Sequence, residues 1–233
     1  MQTKHYKTAA LILAAGSGSR MNMPTTKQRL IIAGKSVLKR SIEVFDGISE
    51  IDLILVVTRK DEYDFAVSEC EGISKIYSVV VGGNTRAESA KNGFMALPAD
   101  VDFVMIHDAA RCLVTREEIK LVLDAACQHG AATASYPIVD SIKKVDESGK
   151  ILSSVSRDDL RAVATPQAFS YEIYKSAIDS VSVLGADITD DNSLVEKIGI
   201  NPFCVMTSRE NIKITASTDL ALAEFIIKNR EIK

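Results

Sequence analysis

Two glycines and an arginine follow the first apolar run of the chain, and together they could bind phosphate. The run at residues 9–13 has the length of a buried strand and leads into Gly16, Gly18 and Arg20. Glycine lacks a Cβ, so the backbone N–H groups of such a loop can approach and surround phosphate oxygens. The arginine adds a planar fork of donors that can bridge two of these oxygens. The pattern predicts a phosphate-binding loop, with a plain strand-to-loop turn and a surface arginine as the alternative.

Two better-known phosphate loops fit this sequence poorly. A dinucleotide-binding loop needs a third glycine, but Met21 occupies that position. The Gly-Lys-Ser tripeptide at residues 34–36 could end a Walker A loop, but Arg29 stands where that loop begins with glycine. The second aliphatic run is followed by Arg59 rather than by an acidic residue. An NADPH-dependent reductase with the 2′-phosphate on Arg59 is a further alternative.

More polar residues stand directly after later apolar runs. Ligands of parallel sheets bind beyond the carboxyl ends of the strands, so these residues are expected to meet in one cleft. Such a cleft would hold several cations around one carboxylate, which suits a polyanion bound with a metal ion. The residues are Lys27 in the loop after the first run, Gly83, Asn84, Arg86 and Ser89 after the run at 76–81, Asp108 and Arg111 after the run at 102–106, and Lys213 on a predicted late strand at 212–215.

Asp108 is the carboxylate of this predicted cleft. Magnesium in proteins takes one or two carboxylates and completes its shell with substrate phosphates and water. Opposite a phosphate-binding loop, Asp108 is therefore predicted to ligate Mg²⁺, with a turn or helix cap as the alternative. The neighbouring His107 is expected to be an interior strand residue with one hydrogen bond.

The sequence contains no recognisable Ser-His-Asp or Cys-His arrangement and no carboxylate pair for acid–base catalysis. A reaction between two phosphates needs none, because a phosphate monoester oxygen is already anionic near neutral pH. The obstacle is repulsion between the two anions, which positioned cations can offset. Arg20, Lys27 and Lys213 are the candidates for this role. The predicted chemistry is nucleotidyl transfer from a nucleoside triphosphate, with pyrophosphate leaving.

Aliphatic strand-like segments alternate with helix-like segments along the chain. This order predicts an α/β domain with a mostly parallel sheet and helices on both faces, spanning residues 1–233 without a linker. Asn84 is expected to cap the helix after the third strand. Residues 138–157 depart from the alternation and predict a β-hairpin. We expect this hairpin to be an arm that pairs with a second subunit in a homodimer, with a plain surface hairpin as the alternative.

Composition excludes several classes of partner and site. The chain of 233 residues is 46% hydrophobic and 25% charged, with a net charge of −3, so nucleic acid and anionic membrane surfaces are not expected partners. No apolar stretch is long enough to span a bilayer. The four cysteines are far apart without metal-ligand spacing, which is typical of free thiols in a reducing compartment. The predicted location is the cytoplasm.

As an ordered set, these blocks resemble the sugar-phosphate nucleotidyltransferases, and among them the 2-C-methyl-D-erythritol 4-phosphate cytidylyltransferase family. The set covers residues 9 to 215 and is specific, although the opening loop alone is not. The blocks are residues 14–21, Lys27-Gln28, Gly82-Gly83 with Arg86 and Ser89, residues 107–111, residues 165–169, Thr189-Asp190-Asp191 and residues 211–215.

The resemblance implies a Rossmann-like fold and a Mg²⁺-requiring transfer of a cytidylyl group from CTP to a sugar-alcohol phosphate, 2-C-methyl-D-erythritol 4-phosphate, in non-mevalonate isoprenoid biosynthesis. It implies that Arg20 and Lys27 stabilise the transition state and that Lys213 orients the substrate phosphate. It also implies that Ala14, Ala15, Gly83, Asn84 and Ser89 hold cytosine, that Asp108, Ala109, Arg111, Thr165 and Thr189 line the second substrate, and that Ser141 and Arg157 on the arm complete the site of the second subunit.

The chain departs from the family pattern at Thr26 and Cys112, where proline is usual, and at Asn84 and Ser141, where aspartate and threonine are common. Asn84 keeps an acceptor but adds a donor, which changes what it can offer to cytosine. A pentitol (ribitol) 5-phosphate cytidylyltransferase is one alternative, although Ala110 favours the isoprenoid enzyme because the pentitol enzymes tend to carry valine there. A nucleotide-binding regulator without turnover is the alternative from another class.

Overall fold

The computed structural model describes residues 5–16, 25–181, 184–185 and 188–231. Its strands are β1 (Thr8–Leu13), β2 (Ile31–Ile32), β3 (Lys35–Ser36), β4 (Leu53–Thr58), β5 (Ile76–Val81), β6 (Phe103–Asp108), β7 (Ala131–Pro137), β8 (Ile142–Val145), β9 (Ile151–Val155), β10 (Arg161–Ser170) and β11 (Phe203–Met206). Seven strands form the central sheet in the order β11-β7-β10-β6-β1-β4-β5. In this sheet β10 is antiparallel to β6 and β7 and the other pairs are parallel, which confirms the predicted mostly parallel sheet.

Helices cover both faces of this sheet, as predicted. Alternate residues of a strand point to opposite faces, so Ile12 of β1 lies in one buried cluster and Leu11 in another. Phe45 packs in the first cluster and Phe94 in the second. Within the described ranges, no helix is both long enough and apolar enough to cross a bilayer. The helices are α1 (Val37–Asp46), α2 (Tyr63–Cys70), α3 (Arg86–Met95), α4 (Arg116–His129), α5 (Tyr171–Ser180), α6 (Asp191–Glu196) and α7 (Ser217–Glu231).

The cap of α3 differs from the prediction by one residue. Thr85, not Asn84, is the N-cap, and its hydroxyl accepts from the backbone N–H of Glu88 at 3.0 Å. The Glu88 carboxylate accepts in return from the N–H groups of Thr85 and Asn84. This reciprocal capping box satisfies three backbone N–H groups at once, which a cap by Asn84 would not do. The expected cap was therefore wrong.

Residues 212–215 form an irregular segment rather than the predicted strand. Ile214 is fully buried in a third apolar cluster beside α7, and its N–H donates to the carbonyl of Ala110 at 2.8 Å. The segment therefore lies next to the end of β6 without joining the sheet. This placement brings the neighbouring Lys213 to Asp108.

The predicted hairpin is confirmed as the two-stranded sheet β8–β9. Its turn is organised by Asp146, whose carboxylate accepts from the N–H groups of Ser148 and Lys150, both at 3.0 Å. Large apolar side chains remain exposed on it, with Ile151 60% and Leu152 57% exposed. We name this hairpin, residues 142–155, the arm.

Candidate active site

A cavity of about 610 Å³ opens at the carboxyl ends of β1, β4, β5 and β6. This is the edge of the sheet where the sequence predicted a cleft, and polar groups from separate strands meet there. The predicted site residues that line it are Ala15, Gly16, Lys27, Gly83, Asn84, Arg86, Ser89, Asp108, Thr189 and Lys213.

One side of the cavity is lined by Ala15, Gly16, Gly83 and Ser89, and Gly82 lies directly behind Ala15 and Ser89. We name these five residues the glycine wall. The Ser89 hydroxyl accepts from the N–H of Gly83 at 3.1 Å and donates to the carbonyl of Thr85 at 2.8 Å. A Cβ on Gly82 would lie 2.6 Å from the Ser89 Oγ and 2.8 Å from the Ala15 Cβ. The wall therefore exists because three segments approach each other closely. Its shape depends on the absence of side chains.

Lys27 reaches the cavity from a 3₁₀ turn at Lys27–Arg29. A Cβ on Gly16 would lie 3.5 Å from the Lys27 Nζ, so the ammonium group is next to the glycine of the predicted phosphate loop. A cation beside backbone of this type favours a phosphate group. Two further predictions for this loop, Gly18 and Arg20, lie outside the described residues.

The opposite side, which we name the charged wall, consists of Arg86, Asp108 and Lys213. Arg86 Nε donates to Asp108 Oδ1 at 3.0 Å, and Lys213 Nζ donates to Asp108 Oδ2 at 2.6 Å. Burial by itself would raise the pKa of Asp108, but the two cations outweigh it and hold this pKa well below its usual range. Asp108 therefore stays ionised at neutral pH.

The geometry does not fit Asp108 as a magnesium ligand. Both of its carboxylate oxygens already face cations, and a third cation there would be repelled. Among the described residues no group of three or more His, Cys, Asp or Glu side chains could hold a metal ion. The charged wall is therefore arranged to hold cationic side chains in place rather than an ion.

Several predicted residues lie beneath the cavity surface and support it. Thr165 is buried, and its hydroxyl accepts from the N–H of Asp108 at 3.0 Å. Its oxygen is also 3.1 Å from Nδ1 of His107, whose Nε2 is 3.2 Å from the Arg111 carbonyl oxygen, so His107 has two partners rather than the one expected. Burial lowers the pKa of His107 to about 3, which keeps the ring neutral. The side chain of Arg111 donates to the carbonyl of Asn211 at 2.8 Å, next to the segment that carries Lys213.

Other predicted residues are not at the cavity in this chain. Ala14 and Ala109 are buried in the core behind it. Ser141 and Arg157 lie just outside the two ends of the arm, and both are exposed. Arg157 donates there to the carbonyl of Val139. A role for these two residues in the site of a second subunit stays a prediction.

The cavity also includes residues that the sequence analysis did not assign to it. Arg59 directly follows β4 and was considered only for the 2′-phosphate of NADPH, and its guanidinium pairs with both carboxylate oxygens of Asp61. Gln28 was noted only as part of a motif, and its Oε1 is buried without a hydrogen-bond partner among the described residues. The unassigned lining residues are Leu13, Gln28, Arg59, Thr85, Ala110 and Thr215.

Comparisons with known proteins cover nearly the whole chain. A family model described as 2-C-methyl-D-erythritol 4-phosphate cytidylyltransferase matches residues 8–229. A protein of that name from Pelotomaculum thermopropionicum is 39% identical over 228 residues, covering 97% of this chain and 96% of the relative. One from Caldanaerobacter subterraneus is 40% identical over 223 residues, covering 94% and 98%. The crystal structure of 4-diphosphocytidyl-2C-methyl-D-erythritol synthase from Anaerococcus prevotii has a TM-score of 0.84 at 26% identity, covering 96% and 97%.

The extent of these matches leaves no part of the central sheet or of the cavity outside the shared region. The chain therefore belongs to the 2-C-methyl-D-erythritol 4-phosphate cytidylyltransferase family.

Proposed function

We propose that this protein transfers a cytidylyl group from CTP to 2-C-methyl-D-erythritol 4-phosphate, a step of non-mevalonate isoprenoid precursor biosynthesis. The products are 4-diphosphocytidyl-2-C-methyl-D-erythritol and pyrophosphate. The observation that carries the proposal is the meeting of Lys27 and Lys213 in one cavity, with a glycine wall on one side and an ionised Asp108 on the other. The names of the relatives supply the identity of the two substrates.

The chemistry requires alignment and charge compensation rather than a base. An anionic oxygen of the acceptor phosphate attacks the α-phosphorus of CTP, and the bond from that phosphorus to the bridging oxygen of pyrophosphate breaks. Negative charge builds on the attacked phosphoryl group while two anions are held together. Lys27 on the phosphate-loop side and Lys213 on the charged wall would offset that charge. Arg20 would join them from the phosphate loop.

The two walls suit different parts of the substrates. The glycine wall offers backbone groups and little side-chain volume, which suits the flat cytosine ring between Ala15 and Gly83. The charged wall offers a carboxylate that can accept hydrogen bonds from hydroxyl groups and a lysine that can pair with a phosphate. We therefore assign CTP to the glycine wall and the sugar-alcohol phosphate to Asp108, Thr189 and Lys213.

We keep magnesium as part of the proposal, as a companion of CTP. Mg²⁺ binds phosphate oxygens and retains several waters, so a triphosphate can supply most of its ligands. The residues around Asp108 do not fit the ion, and the roles above do not depend on it. Titration of Mg²⁺ in the presence and absence of CTP tests this part. Tight binding of Mg²⁺ to the protein without nucleotide would contradict it.

We also propose that the arm joins two copies of the chain into a homodimer, with Ser141 and Arg157 near the neighbouring site. The exposed Ile151 and Leu152 support this, because an isolated two-stranded hairpin gains little stability from packing unless something covers it. The variant Ile151→Lys should lower the molar mass measured by light scattering from that of a dimer to that of a monomer. Leu222→Lys, on the exposed side of α7, is the matched control and should leave the mass unchanged.

The test of the whole proposal is pyrophosphate release from CTP. Release should require 2-C-methyl-D-erythritol 4-phosphate and should be much slower with ribitol 5-phosphate or without an acceptor. Faster turnover of ribitol 5-phosphate would favour the pentitol enzyme. Tight CTP binding without release for either acceptor would favour a regulator. Because CTP is a cytosolic metabolite, we propose the cytoplasm as the site of action.

A further inference from the structure

A buried carboxylate behind the charged wall has no role in the reaction as described so far. Asp191 is the first residue of α6, and its side chain is 3% exposed. Tyr174 Oη donates to its Oδ1 at 2.6 Å, and Arg86 Nη1 donates to its Oδ2 at 2.7 Å. Its backbone N–H donates to Oε1 of Gln167 at 3.0 Å. A charge this deeply buried is tolerated only when it is paired, and Arg86 is its cationic partner.

Arg86 connects this carboxylate to the cavity. Its Nε donates to Asp108 and its Nη1 to Asp191, so one rigid, planar group bridges two carboxylates. The third nitrogen, Nη2, is buried without a hydrogen-bond partner among the described residues. Burial by itself would lower the pKa of Arg86, but the two carboxylates raise it, so this bridge stays charged.

Four charges of alternating sign therefore run from the cavity into the core: Lys213, Asp108, Arg86 and Asp191. In this row Asp191 attracts Arg86 away from Asp108, since each carboxylate takes one nitrogen of the guanidinium. Without it, Arg86 could turn its whole fork towards Asp108 and compete with Lys213 for that carboxylate. The orientation of Asp108 and the freedom of Lys213 to bind substrate both depend on where Arg86 is held.

We propose that Asp191 is a positioning residue, which acts through Arg86 to hold Asp108 and Lys213 in their working orientation. The inference rests on the proposed function only for the choice of acceptor in the assay. It also changes the role of Arg86 from the direct substrate contact expected from the sequence to a bridge between two carboxylates.

The decisive variant is Asp191→Asn, because the amide oxygen can still accept from Tyr174 while the charge opposite Arg86 is lost. We expect kcat/KM to fall about 10- to 100-fold, since small displacements of positioned groups have effects of this size. The KM of the sugar-alcohol phosphate should rise, whereas the KM of CTP should stay within about twofold because the glycine wall is untouched. A merely structural defect would change both KM values or neither.

Two comparisons separate positioning from stability. Tyr174→Phe removes the other partner of Asp191 but keeps its pair with Arg86, so it should lower Tm and leave both KM values nearly unchanged. In a double-mutant cycle, Arg86→Gln and Asp191→Asn should be strongly non-additive in kcat/KM, because one residue acts through the other. Additive effects, or an Asp191→Asn enzyme with wild-type kinetics, would overturn the inference.

A readout without turnover keeps this inference separate from the proposed function. A crystal structure of Asp191→Asn should have Arg86 turned towards Asp108, with Lys213 displaced from its present 2.6 Å contact. An unchanged Arg86–Asp108–Lys213 arrangement would overturn the inference whether or not the protein is active. An inactive wild type, by contrast, would overturn the proposed function alone.

Discussion

The glycine wall and the charged wall face the same cavity but are built on opposite physical principles. In the glycine wall, segments approach so closely that a Cβ on Gly82 would meet both Ser89 and Ala15 below 3 Å. In the charged wall, Asp108 makes contacts of 3.0 Å with Arg86 at the start of α3 and of 2.6 Å with Lys213 in the irregular segment. The first wall depends on volume and the second on charge. Substitutions should therefore affect the two walls through different measurable quantities.

The largest effect is expected at Lys27, whose ammonium lies beside Gly16 of the predicted phosphate loop. Lys27→Ala should lower kcat about 100- to 1000-fold, the range typical for loss of one group that stabilises transition-state charge. Tm should change little because the side chain is only part-buried on a loop. Steady-state pyrophosphate release measures the rate. Lys60→Ala, at an exposed lysine of another 3₁₀ turn, is the control, and an unchanged rate in Lys27→Ala would refute its assigned role.

The charged wall is tested by Asp108→Asn, which keeps the shape but removes the central charge. Arg86 and Lys213 would then face each other without their common anion, so kcat/KM should fall about 10- to 100-fold, mainly through the KM of the sugar-alcohol phosphate. The KM of CTP should be nearly unchanged. Asp124→Asn on the exposed side of α4 is the matched control. An equal rise in both KM values would mean that the two walls do not divide the substrates as proposed.

The glycine wall is tested by Gly82→Ala, which adds volume without charge. Because the added Cβ would meet Ser89 and Ala15, the wall must shift, and overpacking of this kind costs about 1–3 kcal/mol of unfolding free energy. We expect the KM of CTP to rise about tenfold, with the acceptor KM unchanged. Gly47→Ala is the control, because its Cβ would meet only the mobile end of Arg116. Wild-type affinity for CTP in Gly82→Ala would contradict the assignment.

The smallest effect concerns His107, which lies beneath the charged wall. Burial lowers its pKa from 6.5 to about 3, so the unfolded chain binds a proton below pH 6.5 that the folded protein excludes. Stability from this group is complete above pH 6.5 and is lost as the pH falls towards 3. At about 1.4 kcal/mol per pH unit, the loss reaches about 2 kcal/mol near pH 5.

Denaturant unfolding at several pH values measures this slope. His107→Gln can keep a hydrogen bond to Thr165 but cannot titrate. Between pH 6.5 and pH 5 its unfolding free energy should therefore fall by about 2 kcal/mol less than that of the wild type. His5 is exposed and is present in both proteins, so it cancels in the comparison. Equal slopes in the two proteins would mean that His107 is protonated in the folded state. The charged wall would then rest on a cationic, not a neutral, ring.

Features that depend on neighbours in the chain were predictable from the sequence. The aliphatic runs and the hairpin turn around Asp146 follow from local propensity and side-chain chemistry. The cap of α3 could also have been predicted correctly, because Thr85 stands three residues before Glu88 and Asn84 does not. That error came from reading residue type without its spacing.

The irregular structure of residues 212–215 could not be predicted from neighbouring residues in the chain. Its alternating apolar residues predict a strand, but Ile214 is buried in a separate cluster against α7, and no local signal distinguishes these two uses of an apolar residue. The predicted proximity of Lys213 to Asp108 did not depend on that strand, since Lys213 contacts Asp108 from an irregular segment. Thr165 accepts from the backbone N–H of Asp108 beneath the cavity surface, and its assignment to substrate stays a prediction.

By itself, the sequence determined most strands of the central sheet and which chemical groups stand near their ends, although not the irregular segment at 212–215. Only the tertiary structure decided which charge meets which: Arg86 bridges Asp108 and Asp191, and Lys213 takes the remaining oxygen of Asp108. The physical reason is that the two kinds of interaction act over different separations along the chain. Strand and turn preferences act over a few residues, but ion pairs depend on distance in space, and only the packing of helices on both faces of the sheet sets that distance.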